Sequence, residues 1–139
     1  LIFPKHLENA SELVRMFPRQ RFVIDHIAKP DIRAGILDPW RDGMAKLARQ
    51  MNVFCKVAVM VTEADPVKWE YRDFIPYLDF VYQAFGAERL MIGSDWPVCR
   101  LAGEYREVME IPKRYFEELD PAEKDRIYRK NAVDFYKLS

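Results

Sequence analysis

Arg89-Leu90-Met91-Ile92-Gly93-Ser94-Asp95-Trp96-Pro97 is a short apolar run that stops at a small residue, a hydroxyl, a carboxylate, an aromatic ring and a proline. Such a run is too short for a helix and is bounded by turn formers, so it reads as a buried strand that delivers Asp95 to one edge of a sheet. Two other runs end in the same manner. Phe22-Val23-Ile24-Asp25 opens into His26-Ile27-Ala28-Lys29-Pro30, and Val53-Phe54-Cys55-Lys56-Val57 opens into a polar loop. Strands that all release polar residues at one end predict a functional edge.

Between these strands the apolar spacing is helical. Leu7, Ala10, Leu13, Val14 and Phe17 form one stripe that Pro18 closes. Asp38-Pro39 reads as an N-cap and first-turn proline ahead of a second stripe, Trp40, Met44, Leu47, Ala48 and Met51. A loop through Thr62-Glu63-Ala64-Asp65-Pro66 precedes Phe74, Leu78, Val81, Tyr82 and Phe85, with Gly86 as the C-cap. The segment from Tyr105 to Leu119 is helical with an interruption expected at Pro112, and Asp120-Pro121-Ala122-Glu123 starts a last helix. Leu1-Ile2-Phe3 reads as the tail of a further strand; with no initiator Met before it, the chain is expected to be a fragment. Strand alternating with helix gives an α/β class and a parallel sheet. Either a small doubly wound sheet or half of a (β/α)₈ barrel fits, and both place ligands at the carboxyl ends of the strands. Short strands followed by long loops favour the half-barrel.

Composition narrows the function. The 139 residues carry 22 basic and 22 acidic side chains, with 50% hydrophobic and 14% aromatic content. A balanced charge without a basic face gives no electrostatic support to nucleic-acid binding. No apolar run approaches the roughly 18 residues of a membrane span, and no signal-peptide pattern is present, so a cytoplasmic setting is expected. Cys55 and Cys99 make neither a Cys-x-x-Cys pair nor a disulfide framework, and read as small buried thiols. None of the five glycines builds a phosphate cradle, which argues against a flavodoxin-like binding module.

Four motifs in order carry a resemblance: Asp25-His26-Ile27-Ala28-Lys29-Pro30; Phe54-Cys55-Lys56-Val57 with Val61-Thr62-Glu63-Ala64; Gly93-Ser94-Asp95-Trp96-Pro97-Val98; and Asn131-Ala132-Val133-Asp134-Phe135-Tyr136. Together they resemble the lactonase-like branch of the amidohydrolase superfamily, across nearly the whole chain. The resemblance implies the carboxyl-terminal half of a (β/α)₈ barrel, strands five to eight with their helices, and hydrolysis of a sugar-acid or related lactone. Two departures stand out. Where the family usually has Ser-Gly after the strand-seven lysine, this chain has Ala58-Val59. The His-x-His pair that many members carry on the first strand has no counterpart, because His6 and His26 are the only histidines. One divalent, zinc-like metal is therefore implied only for a full-length protein, with His26 and Asp95 as ligands, and this chain alone assembles no complete site.

Lactone hydrolysis needs a water deprotonated beside the ring carbonyl, hydrogen-bonding or positive groups for the oxyanion, and a proton for the departing ring oxygen. Asp95 suits the proton transfers, the bland alternative being a cap on the following turn. His26 suits carbonyl polarisation or metal ligation, against a hydrogen-bonded histidine at a sheet edge. Lys29, Lys56, Trp96 and His6 are candidate substrate contacts. Lys56 is the sharper of the two lysines, because a lysine within an apolar strand has to reach a carboxylate or the barrel mouth. Trp96 offers a flat face to a sugar-like ring, and Thr62 and Glu63 shape a lid. The expected partners are a small lactone and the other half of the barrel. Two alternatives remain: a catalytically silent half-barrel that needs a partner chain, and a related decarboxylase.

Overall fold

The computed structural model describes residues 2–138. Three parallel strands, β1 (Phe22–Ile24), β2 (Val53–Val57) and β3 (Leu90–Ile92), form one sheet in the order β1-β2-β3. Helices α1 (Leu7–Met16), α2 (Trp40–Ala48), α3 (Met60–Glu63), α4 (Tyr71–Phe85), α5 (Tyr105–Tyr115), α6 (Pro121–Asp125) and α7 (Asn131–Tyr136) alternate with and follow the strands. The α/β class with a parallel sheet agrees with the alternation in the sequence.

Burial alternates along β2 as its pleat requires. Val53, Cys55 and Val57 are buried, whereas Phe54 and Lys56 on the opposite face are half-buried. The buried face meets Met44 and Leu47 of α2 and Phe74, Leu78 and Val81 of α4 in one contiguous core. Each such side chain contributes roughly 1.5–3 kcal/mol by leaving water. On the other face the Phe54 ring meets Phe135 of α7, edge to face at 5.1 Å. Arg21, just ahead of β1, fastens the same helix by donating from Nη2 to the carbonyls of Asp134 and Phe135 at 2.9 and 3.1 Å. At the other end of α7, buried Asn131 donates to the carbonyls of Ala87 and Leu90, both at 2.7 Å. The last helix thus spans the sheet from β3 to the start of β1.

Several local expectations are corrected. Leu1 lies outside the described residues, and Ile2 and Phe3 are not strand. The backbone of Phe3 is committed to the next turn, its N–H to His6 Nδ1 at 3.0 Å and its carbonyl to the His6 N–H at 2.8 Å, which leaves neither for a ladder. Asp38 does not cap α2, whose N-cap is Pro39; its carboxylate instead binds Arg41 at 2.7 and 3.1 Å. Thr62 and Glu63 belong to α3 and not to a loop, and Pro112 lies inside α5 without ending it. The Leu13, Phe17 and Met51 side chains are exposed, although the helical stripes pointed them inward. Gly86 closes α4 with φ 67°, and the Asp120 side chain accepts from the N–H groups of Ala122 and Glu123, both as the sequence suggests. Cys55 and Cys99 are free and buried.

Candidate active site

All three strands end in backbone that ordinary residues avoid. After β1, the run His26, Ile27, Ala28 and Lys29 has φ of 59°, 45°, 59° and 49°; after β2, Val59 has φ 61°; after β3, Asp95 has φ 54°. Left-handed backbone costs roughly 1–2 kcal/mol for each L-residue, more for β-branched Ile27 and Val59, and such strain persists only where surroundings overdetermine it. In the first turn Ile27 and Ala28 are fully buried, and the Trp40 indole N–H donates to the Ile27 carbonyl at 2.6 Å. Val59 takes a glycine-like conformation without being glycine.

His26 is the electrostatic centre of this edge. Burial pushes its pKa below the ordinary 6.5, although the Asp95 and Asp25 carboxylates act to raise it; Lys56 and Lys29 push it further down. The imidazole is therefore neutral at neutral pH, and its Nδ1 is buried without a hydrogen-bond partner. The Asp95, Asp25, Lys56 and Lys29 charges all act on this one ring, from segments at the ends of all three strands. No hydrogen bond among the described residues occupies the Asp95 carboxylate. The next turn is served otherwise, by the Asp95 backbone carbonyl, which accepts from the Cys99 N–H at 3.1 Å, and by Ser94 Oγ, which accepts from the Trp96 N–H at 3.2 Å. The capping alternative for Asp95 is set aside on that ground.

Lys56 does what a lysine in an apolar strand must. The register pairs Ile24 with Cys55, so Asp25 and Lys56 are the next residues on neighbouring strands, and Nζ lies 2.5 Å from Asp25 Oδ1. Burial alone would lower the ammonium pKa, but the Asp25 carboxylate and the Tyr136 hydroxyl outweigh it and the pKa is raised. Gly93 makes room for the lysine stem: a Cβ there would come within 3.3 Å of Lys56 Cδ and 3.4 Å of Ala58 Cβ. Lys29 is likewise paired, at 2.5 Å from Glu63 Oε1. Neither lysine is a bare cation, so each reaches a ligand only alongside its carboxylate.

Trp96 and His6 stand further out. Trp96 is 64% exposed on the β3 loop. His6 has its Nδ1 occupied by the Phe3 N–H and approaches the cluster through the Phe3 ring, which lies 5.8 Å from Lys29 Nζ. Asp25 and Glu63 also take part, as the ion-pair partners of the two lysines. Asp25 is visible inside its motif, but only the register of β1 on β2 places it next to Lys56. Glu63, which the sequence assigns to a lid, pairs with Lys29. The described residues contain no group of three His, Cys, Asp or Glu arranged to hold a metal.

Residues 2–138 match the family described as Amidohydrolase. The chain belongs to the amidohydrolase family. It is similar to an L-fucono-1,5-lactonase of Burkholderia ambifaria, 38% identical over 148 residues that cover 99% of this chain and 49% of the relative. It is also similar to an L-rhamnono-gamma-lactonase of Scheffersomyces stipitis, 25% identical over 146 residues, covering 91% of this chain and 44% of the relative. The crystal structure of a Burkholderia multivorans amidohydrolase with bound zinc superposes with a TM-score of 0.95 at 34% identity, over 100% of this chain and 51% of that one. This amidohydrolase chain spans about half the length of the curated relatives it matches. Its fold is that of about half of an amidohydrolase barrel. No helix among the described residues is long and apolar enough to cross a membrane.

Proposed function

We propose that this chain forms the carboxyl-terminal half of a (β/α)₈ barrel, residues 1–139, and that the whole protein hydrolyses a sugar-acid lactone or a close relative. The observation that carries this reading is the neutral, half-buried His26 in the field of the Asp95 carboxylate, which no hydrogen bond among the described residues engages, on the carboxyl edge of a parallel sheet. Named lactonases among the relatives supply the substrate class.

In this mechanism the Asp95 carboxylate takes a proton from water as the oxygen attacks the ring carbonyl carbon. The His26 N–H donates to the carbonyl oxygen and holds the oxyanion of the tetrahedral intermediate. The bond from carbon to ring oxygen then breaks, and Asp95 returns its proton to that oxygen, leaving a hydroxy acid. A neutral imidazole suits this role, because it offers one donor without a full charge that would pair permanently with Asp95. Lys56, held by Asp25, and Lys29, held by Glu63, border the carbonyl with positive charge; Trp96 and His6 line the rim for the sugar ring. A divalent ion in the whole protein would add Lewis-acid polarisation of the same carbonyl, with His26 and Asp95 as this chain's donors.

The experiment is an assay of the full-length protein against a panel of five- and six-membered sugar lactones, with and without a chelator. Asp95→Asn, which keeps the shape and removes the base, is expected to lower turnover by roughly 10²–10⁴-fold. Unchanged turnover in that variant would remove the central claim, and loss of activity with chelator assigns the metal.

A further inference from the structure

We propose that Glu63 is a positioning residue: through Lys29 it locks the left-handed turn that carries His26. The turn is a run of four residues with positive φ, and its last member, Lys29, is also the one whose side chain leaves the turn for another element. The Lys29 and Glu63 side chains are only 18% and 20% exposed, so the 2.5 Å pair between them is largely withdrawn from solvent screening. The same glutamate is held at both ends. Its backbone carbonyl accepts from the Arg33 N–H at 2.8 Å, just beyond the turn, and its Oε1 lies 3.2 Å from the Thr62 hydroxyl, which is itself 3.1 Å from the Val59 carbonyl. Glu63 therefore holds the strained segment at Lys29, and Trp40 holds it at Ile27.

A strained segment needs such constraints, because unaided backbone would relax toward right-handed or extended conformations and carry the imidazole with it. The Lys29 N–H donates to the His26 carbonyl at 2.8 Å, so the ion pair acts on a residue bonded directly to the histidine. The brace continues past β2: the Trp69 indole N–H donates to the Ala102 carbonyl at 2.6 Å, tying the segment after α3 to the β3 loop that holds Asp95. Glu63 makes no hydrogen bond to His26 among the described residues, and it reaches the histidine through Lys29. Its effect runs through the shape of the turn, and it holds whether or not the substrate is a lactone.

The test uses the full-length protein, isotope-labelled, and follows the ring nitrogens of His26 and His6 together with exchange of the Lys29 amide. Glu63→Gln keeps the side-chain shape and removes the charge; Glu63→Ala removes both. The expected result is a displaced His26 ring signal, an unmoved His6 signal, and Lys29 amide exchange faster by about tenfold or more. The charge-reversed double variant Lys29→Glu with Glu63→Lys is expected to return both readings toward the parent. Parent-like His26 and Lys29 signals in Glu63→Gln would overturn the proposal. So would displaced signals that the double variant fails to restore, since Glu63 would then act by some route other than Lys29. If Glu63→Ala does not fold, the glutamine and charge-reversed variants decide alone.

Discussion

His26 shows how one residue's environment settles its protonation. Two carboxylates would ordinarily make a histidine more basic, yet burial outweighs them and the pKa falls below 6.5. The unfolded chain therefore binds a proton at His26 before the folded chain does. Stability attributable to this group is fully present above about pH 6.5 and is lost as pH falls through the lower folded value. Urea midpoints measured from neutral to mildly acidic pH are expected to decline, and His26→Asn is expected to flatten part of that decline; an identical slope in both proteins would contradict the burial argument. Val59 gives a second residue-scale test. Replacing a buried valine by glycine removes roughly 2–3 kcal/mol of apolar burial, but at φ 61° glycine also relieves roughly 1–2 kcal/mol of left-handed strain. With the larger relief expected at a β-branched residue, Val59→Gly is expected to destabilise by at most about 1 kcal/mol. Val57→Gly, at an equally buried position within β2, is expected to cost several times as much in the same denaturation experiment.

At the scale of elements, the strands and long helices were legible because hydrophobic spacing and burial answer to the same face. Trp40, Met44, Leu47 and Ala48 are all buried as their stripe implied. What was hidden depended on geometry that spacing does not encode. Leu13 and Phe17 share the first stripe with Leu7 and Val14, but only Leu7 and Val14 are covered by other elements. Pro112 left α5 intact, which the sequence rule for helix interiors did not anticipate. The left-handed turns were illegible for a plain reason: sequence signals positive φ through glycine, and here His, Ile, Ala, Lys, Val and Asp carry it. Likewise the Lys56 need for a carboxylate was visible, while the choice of Asp25 required the strand register. One contact between elements is decisive for the site, the bond from the Trp40 indole in α2 to the Ile27 carbonyl. Trp40→Phe keeps an aromatic ring against Tyr77 and Phe80 but orphans that carbonyl, at about 1–3 kcal/mol. Thermal denaturation should show the loss, and amide exchange at Lys29 should rise more than exchange within α4 if the bond supports the turn specifically.

For the molecule as a whole, the decisive feature is that a parallel sheet is covered on one face by α2 and α4, and crossed on the other by the short helix α7. Among the described residues β1 and β3 each pair only with β2, so each presents one row of backbone donors and acceptors without a ladder partner. In a closed barrel such edges do not exist; in an open sheet they recruit further strands. The π-helical segment Arg126–Lys130 and α7 lie against β3, with Asn131 at the start of α7 bonding the Leu90 carbonyl, whereas among the described residues β1 pairs with no further strand on its outer side. The proposed half-barrel predicts that the 139-residue chain on its own associates increasingly with concentration. Co-expression with the segment that its lactonase relatives carry outside the matched half should suppress that association and yield a stable one-to-one complex. Sedimentation of the chain alone and of the co-expressed pair measures both effects. A chain that stays monomeric at high concentration and ignores the added segment would show that its sheet edges are already satisfied, and the site at the carboxyl ends of the strands would then have to work without a second half-barrel.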